Sequence, residues 1–359
     1  CGKRQGQMPR YALGSVKSMI GHCIPAAGIA SLIKTSLSLY YKILPPTLCD
    51  QINPKLNLEN TPFYINTEAR PWIHDSQLPR RAGVNAFGFG GINTHAILEE
   101  YQEPLDAKGA VYQKNHPQAM GWQQLPTELL TFAQESRQGL IDLINQVQQF
   151  LTVNQDCSLA NLAYTLSHHQ GSHRLAILAK DVPNLQRKLN VALDKLTQSE
   201  STQWTARGGI YYAQNQVYTD KTAFLFPTEG SQYVNMLADL CMYFPQARAW
   251  FDFLDETFPR QPRPSQFIFP PPTSLTPQQN QWVTNQLFSA DLATETVSTA
   301  SLAIYEILRG FGIPCDVMVG HSAGEHVALR ASGIAHFPSR SHLKQQLQRL
   351  NQFYQDLQA

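Results

Sequence analysis

Apolar residues recur along the chain with two spacings, and these predict where helices and strands lie. From Ala26 to Tyr41, the residues Ile29, Leu32, Ile33, Leu37 and Tyr40 fall on one helical face, and the paired prolines Pro45 and Pro46 stop the helix. Within 125–200, Leu129, Leu130, Leu140, Leu143, Ile144, Val147 and Phe150 repeat at helical spacing, as do Leu185, Leu189, Leu193 and Leu196. Between them RLAILA at 174–179 reads as a buried strand, which makes this part a small α+β module. Ala223–Phe226 is a strand candidate that leads directly into the turn PTEGSQ. The proline-rich stretch 262–277 reads as an exposed loop or insertion. Further on, Val297, Ile304, Leu308 and Phe311 make a helix face, and VMVG at 317–320 reads as a short buried strand entering GHSAGEHVALRASG. There is no internal repeat.

A composition shift divides this pattern. Between about 10 and 100, Gly-rich turns alternate with buried elements, and after Glu100 the chain becomes polar and Gln-rich (YQEPLDAKGAVYQKNHPQ), which marks a boundary. The 359 residues, 43% hydrophobic and 15% charged, suffice for two or three domains with real cores. A formal net charge of +1 without any Lys or Arg block gives no footprint for nucleic acid or an anionic membrane. No apolar stretch approaches the roughly 20 residues that span a bilayer, and the opening CGKRQGQ lacks both Met and a signal-peptide pattern. The chain reads as a soluble piece of something longer. Cys1, Cys23, Cys49, Cys157, Cys241 and Cys315 lie far apart with no CxxC pair, so a reducing, cytoplasmic setting is expected rather than a zinc ribbon or a stapled secreted scaffold. His168, His169 and His173 form a lone HHxxxH in a polar stretch, read as a solvated loop, and no metal is assigned.

The most informative local feature is Gly320-His321-Ser322-Ala323-Gly324, a G-x-S-x-G between a predicted strand and a predicted helix. Such a turn needs glycine on both sides to avoid clashes, and it exposes the hydroxyl at a helix N-terminus, where N–H groups can stabilise an oxyanion. A nucleophilic serine needs a base. The 37 residues after Ser322 hold His326, His336, His342 and Asp356, with His326 only four residues on in the same helix. An α/β-hydrolase would place an acid and then a His on separate downstream loops and an HGGG strand upstream, so that reading loses ground. Gly88-Phe89-Gly90-Gly91 is no dinucleotide site, because Asn93 stands where the third Gly of G-x-G-x-x-G belongs.

Two motifs together carry a resemblance. FPTEGSQYVNMLADLCMYFPQARAWFD (226–252), followed about ninety residues after Ser231 by GHSAGE, resembles the malonyl/acyl-CoA:ACP acyltransferase domain of type I polyketide and fatty-acid synthases. Upstream, SVKSMIGHCIPAAGIASLIKTSLSLYYKILPPTL (15–48) and RRAGVNAFGFGGINTHAILEE (80–100) resemble the C-terminal half of a β-ketoacyl synthase. The wording MIGHCIPAAG and PFYINTEARPWIH is nearest to iterative heterocyst-glycolipid, polyunsaturated-lipid and enediyne synthases. The resemblance implies an α/β chain in three parts: a partial thiolase-like ketosynthase (1–100), a small α+β linker domain (101–220) and a partial α/β acyltransferase (221–359).

Site residues follow from the resemblance one at a time. Ser322 matches the acyltransferase nucleophile, which takes an acyl group, malonyl by family habit, from acyl-CoA and passes it to a phosphopantetheine thiol on an acyl carrier protein. His321, Ala323 and Glu229 fall at the acyl- and oxyanion-binding positions. Glu229 departs from the family's GQGSQ, and a carboxylate there disfavours a developing anion. Only Arg349 falls near the place of the arginine that usually holds the malonyl carboxylate. His22 matches the ketosynthase histidine that donates to a decarboxylating malonyl thioester, and Lys17 the lysine ordering that site, although Met19, Cys23 and Ile24 depart from the family's wording. Phe89 matches the phenylalanine that gates the ketosynthase pocket; the plainer alternative is a structural turn packed by two phenylalanines. By family spacing, the ketosynthase cysteine and first histidine would precede residue 1, the acyltransferase histidine would follow residue 359, and Cys1 is not the nucleophile. No cofactor is expected on the chain itself, and a homodimer through the ketosynthase is implied. The alternatives are a hydrolase or thioesterase using Ser322 and a non-catalytic docking scaffold.

Overall fold

A computed structural model describes residues 8–101, 126–215 and 221–356, so Cys1 and most of the polar boundary after Glu100 lie outside the described residues. The chain divides into two compact units, one made of residues 1–120 with 222–359 and the other of residues 121–221.

The first segment opens with β1 (Tyr11–Leu13), α1 (Lys17–Ile20), α2 (Ala26–Tyr41) and β2 (Ile43–Leu44), followed by β3 (Phe63–Ile65), β4 (Arg70–Pro71), β5 (Arg81–Phe87) and β6 (Asn93–Glu99). β1 runs parallel to β3, β2 antiparallel to β4, and β5 and β6 form a hairpin with Phe87 opposite Asn93. The bounds of α2 are those the periodicity predicts, but its orientation is not. Ala27, Ser38 and Leu39 are buried, whereas Ile29, Ile33, Leu37 and Tyr40 are exposed. The small-residue face meets the sheet: a Cβ on Gly28 would lie 3.0 Å from the Ala86 Cβ, so backbone approach rather than side-chain size selects this face.

The second unit contains β7 (Glu128–Gln134), α3 (Arg137–Val153), α4 (Leu159–Leu166), β8 (His173–Ala179), α5 (Val182–Gln198), β9 (Gln203–Ala206) and β10 (Ile210–Gln214). Its antiparallel sheet has the order β7-β8-β10-β9. Leu129 and Leu130, expected at helical spacing, lie instead in β7, where alternation buries Leu130 and Phe132 and leaves Leu129 exposed. The rows Leu130–Ile177–Ile210 and Phe132–Leu175–Tyr212 cross three strands. Onto them pack Leu140, Ile144 and Leu151 of α3 and Leu185, Leu189 and Leu196 of α5. Ser136, Ser158 and Asp181 cap the three helices through side-chain acceptors. His173 of the HHxxxH stretch is buried in this sheet with its Nδ1 2.7 Å from the Tyr212 hydroxyl, not solvated as expected.

The last segment comprises β11 (Ala223–Phe226), α6 (Ala238–Tyr243), α7 (Pro245–Thr257), α8 (Pro264–Ile268), α9 (Pro277–Leu287), α10 (Ala290–Gly310), β12 (Val317–Gly320), α11 (Ala323–Ala331) and α12 (Arg340–Asp356). The proline-rich stretch is not the exposed loop that its composition suggests. Pro264 opens α8 at a position where its missing N–H costs nothing, and Phe267, Ile268 and Phe269 are buried. α10 starts earlier than the apolar face at 297–311 implies. It buries Leu292, Val297, Ala300, Ala303 and Ile307, while Ile304 and Phe311 stay exposed.

Charged groups also lie inside this unit. The Arg80 guanidinium reaches Glu100 at 2.9 Å and Asp252 of α7 at 2.6 Å, and Lys42 reaches Glu100 at 2.8 Å. Burial pushes the Glu100 carboxyl up, but Arg80 and Lys42 outweigh it and hold it down to about 2. Glu256 of the same helix meets Arg340 and Ser76.

Candidate active site

The Ser322 turn is built by two short strands. β11 and β12 pair in parallel with Phe226 beside Gly320, so the two chains leave the sheet together. One runs through His321 and Ser322 into α11; the other runs into Pro227, Thr228 and Glu229. His321 N–H donates to the Phe226 carbonyl at 3.2 Å. Ser322 is exposed and sits at φ 52° and ψ −121°, a conformation that costs a non-glycine residue roughly 1–3 kcal/mol and persists only where its surroundings impose it. The flanking glycines do so by close approach. A Cβ on Gly320 would lie 2.4 Å from the backbone of Gly324, and one on Gly324 would lie 2.2 Å from the Phe226 oxygen. Ala323 is buried at the first position of α11, where the N–H has no partner within the helix and is available to an oxyanion.

Glu229 faces this turn from the neighbouring loop. Its carboxylate accepts from the Thr294 hydroxyl of α10 at 2.6 Å and from the Thr228 hydroxyl, and it interacts electrostatically with His321. Burial pushes this carboxyl up, yet the hydrogen bonds from Thr228 and Thr294, its own backbone N–H and His321 together hold it below the usual carboxylate value. Gln232 props the loop from below: it accepts from Gly230 N–H at 2.7 Å and donates to the Leu287 carbonyl at 3.3 Å.

A second group of residues lies at the start of α2. Ile24 N–H donates to His22 Nδ1 at 3.0 Å, which leaves the imidazole proton of the neutral ring on Nε2, the nitrogen still open to a ligand. Ile24 holds φ 49°, unusual for a β-branched residue, and so keeps its N–H aimed at the ring. Lys17 starts α1, is exposed, and has no ion-pair partner among the described residues. Phe89 is fully exposed at the tip of the β5–β6 hairpin, closed by Gly88 N–H donating to the Ile92 carbonyl at 2.8 Å. Phe87 is exposed too, so the two phenylalanines do not pack this turn as a structural plug would. Since Gly28 touches Ala86, the Phe89 tip and the His22 turn emerge from the same end of the helix–hairpin contact.

Of the sequence-derived residues, Glu229 thus lies beside the turn of His321, Ser322 and Ala323, while His22, Lys17 and Phe89 are exposed in the first segment without a hydrogen bond or ion pair to one another among the described residues. Arg349 is exposed on α12. Sequence reading missed Thr294, which anchors Glu229. The available signal was the polar run Thr294-Glu295-Thr296 interrupting the apolar positions of α10.

Comparison with known proteins places the chain in a family. Residues 2–49 match the β-ketoacyl synthase C-terminal domain, and residues 53–178 match the ketoacyl-synthetase C-terminal extension. The polyketide synthase-nonribosomal peptide synthetase ACE1 of Pyricularia oryzae is 31% identical over 356 residues, covering 92% of this chain and 8% of that protein. A polyunsaturated fatty acid synthase of a Thraustochytrium species is 30% identical over 359 residues, covering 92% of this chain and 12% of its own. The acyltransferase domain structure of ZmaA overlaps 64% of this chain and 49% of its own, at 23% identity and a TM-score of 0.49. The chain belongs to the multidomain polyketide and fatty-acid synthases. It spans about a tenth of the length of the curated relatives. These matches favour neither the hydrolase nor the docking-scaffold reading. Among the described residues no helix is long and apolar enough to cross a membrane.

Proposed function

We propose that the chain serves two steps of a chain-extending synthase, acyl loading at Ser322 and condensation at His22. In this reading residues 1–100 are the C-terminal part of the ketosynthase, 101–220 the linker and 221–359 the N-terminal part of the acyltransferase. The strained Ser322 turn, with Ala323 N–H at its helix start, is the observation that carries it.

The Ser322 Oγ attacks the thioester carbon of an acyl-CoA, the developing oxyanion is met by backbone N–H groups at the start of α11, and the C–S bond breaks. The serine proton leaves with the CoA thiol. The resulting ester then passes its acyl group to the phosphopantetheine thiol of an acyl carrier protein, and Ser322 recovers a proton as the C–O bond breaks. His22, protonated on Nε2, donates to the thioester carbonyl of a decarboxylating extender unit and so stabilises the enolate. A homodimer through the ketosynthase part and a cytoplasmic setting complete the reading.

The test is acyl loading of the full-length synthase, with peptide mapping of the product. Ser322→Ala is expected to remove the ester and to lower transfer to the carrier by at least about a thousandfold. An ester retained at this segment in the variant overturns the proposal.

A further inference from the structure

We propose that the C-terminal end of α11 carries a binding site for a small oxyanion, a phosphate or a carboxylate, held by the guanidinium fork of Arg330. The site is separate from the Ser322 turn. Arg330 lies in the last turn of the helix that Ser322 opens, about 12 Å further along its axis, and its ligand does not depend on the role of Ser322.

Arg330 is held in place but not paired. Its guanidinium lies over the Trp250 ring at 5.1 Å and the Phe337 ring at 5.4 Å, and among the described residues it makes no ion pair and no hydrogen bond. Rings against its faces leave the N–H donors, which lie in the guanidinium plane, along its open edge. A basic side chain near a helix C-terminus often holds the last carbonyls, but here the Ala331 carbonyl accepts from the Tyr305 hydroxyl at 2.8 Å. Burial pushes the Arg330 guanidinium down to about 10, with Glu306 pulling the other way, so it stays charged at neutral pH while its donors go unmatched. Such a fork meets two oxygens of one anion at once.

The surroundings supply room and a surplus of positive charge. A groove of about 250 Å³ is lined by Tyr305, Glu306 and Arg309 of α10, by Arg330, and by His336 and Ser339 of the loop that follows α11. Glu306 pairs with Arg309 at 2.7 Å, so the one carboxylate among these lining residues is already engaged by the other guanidinium. Ser339 shares its hydroxyl with His342 Nδ1 at 2.7 Å and steadies the loop rather than adding a free donor. The charge left over sits on a half-buried side chain, where water and salt screen it less than on an open surface.

The experiment reads the fork directly. The full-length synthase is treated with phenylglyoxal, which condenses with the N–H groups of an unpaired guanidinium, and adducts are mapped by mass spectrometry with the exposed Arg207 of the second unit as reference. Inorganic phosphate and acetate are added in separate series, with sodium chloride holding the ionic strength constant. Modification of Arg330 is expected to slow about tenfold when the anion stands at ten times its dissociation constant, while Arg207 is unaffected. Protection by phosphate alone assigns a phosphate site, and protection by acetate assigns a carboxylate site. Glu306→Gln removes the competing carboxylate and is expected to bring the same protection at an anion concentration lower by roughly threefold or more. An Arg330 that resists phenylglyoxal, slowing that chloride alone reproduces, no protection by either anion, or an unmoved midpoint in Glu306→Gln overturns the site. None of these outcomes bears on acyl loading at Ser322.

Discussion

Residues 126–215 and the unit formed by the two outer segments bury their interiors in different ways. The former closes an apolar core on itself: Leu130, Phe132, Ile144, Leu175, Ile177, Leu185 and Leu189 are wholly or almost wholly inaccessible, and His173 is its buried polar side chain among the described residues. The latter buries Arg70, Arg80, Glu100, Arg248, Asp252, Asp255, Glu256 and Glu295, and leaves Ile29, Ile33, Leu37, Leu225 and Val319 exposed. An apolar core tolerates apolar swaps that conserve volume, whereas a buried charge is tolerable only with its own partner in place. The first unit is therefore stabilised by apolar burial, and the other by an apolar core around Trp250, Phe251 and Leu254 together with the correct pairing of its buried charges.

Breaking a pair should give the largest effect. Arg80→Met leaves Glu100 and Asp252 buried without their guanidinium and is expected to destabilise the outer unit by about 3–5 kcal/mol, seen as a lowered melting transition, while the transition of 126–215 stays in place. Leu189→Ala reverses the outcome. A cavity in the self-contained core should cost that unit about 2–5 kcal/mol and leave the outer unit unmoved. Equal shifts of both transitions by either variant would show that the two interiors are coupled and would end the distinction.

Acid sharpens the contrast with a smaller effect. With its carboxyl held at about 2 against an ordinary 4.5, Glu100 contributes stability that is complete above the ordinary value and is lost as pH falls through about 2. The outer unit should accordingly lose stability across that window in calorimetric scans, and Glu100→Gln should flatten the loss. An identical acid profile for the variant would assign the effect to other groups.

The same contrast decides what was legible in the sequence. α2, β11, β12 and the Ser322 turn were readable in their bounds because each is specified by its own local pattern: a helical stripe, two short apolar runs, and glycines on both sides of a serine, although Val317 and Val319 of β12 are exposed where a buried strand is expected. What the stripe on α2 faces was not readable, since periodicity shows that a face is apolar and not what covers it. β7 escaped the helical reading of 125–200 because Leu129 and Leu130 suit helix and strand alike over so short a run. The anchoring of Glu229 by Thr294 joins residues 65 apart, and the Arg80–Asp252 pair joins residues 172 apart. No local pattern encodes such a pairing. Of the candidate site, then, Ser322 and its turn were visible, and Glu229 was visible only as a departure in wording.

The parallel pairing of β11 with β12 also sets an order of events during folding. Ala223 and Val317 are neighbours in space but 94 residues apart in the chain. Closing a loop of that length costs about 4 kcal/mol of chain entropy before any strand contact compensates, and contacts of such long range form late. The five helices between the strands must shorten the loop first. On a ribosome, the serine turn cannot take shape until α10 and β12 have left the exit tunnel and β12 has met β11.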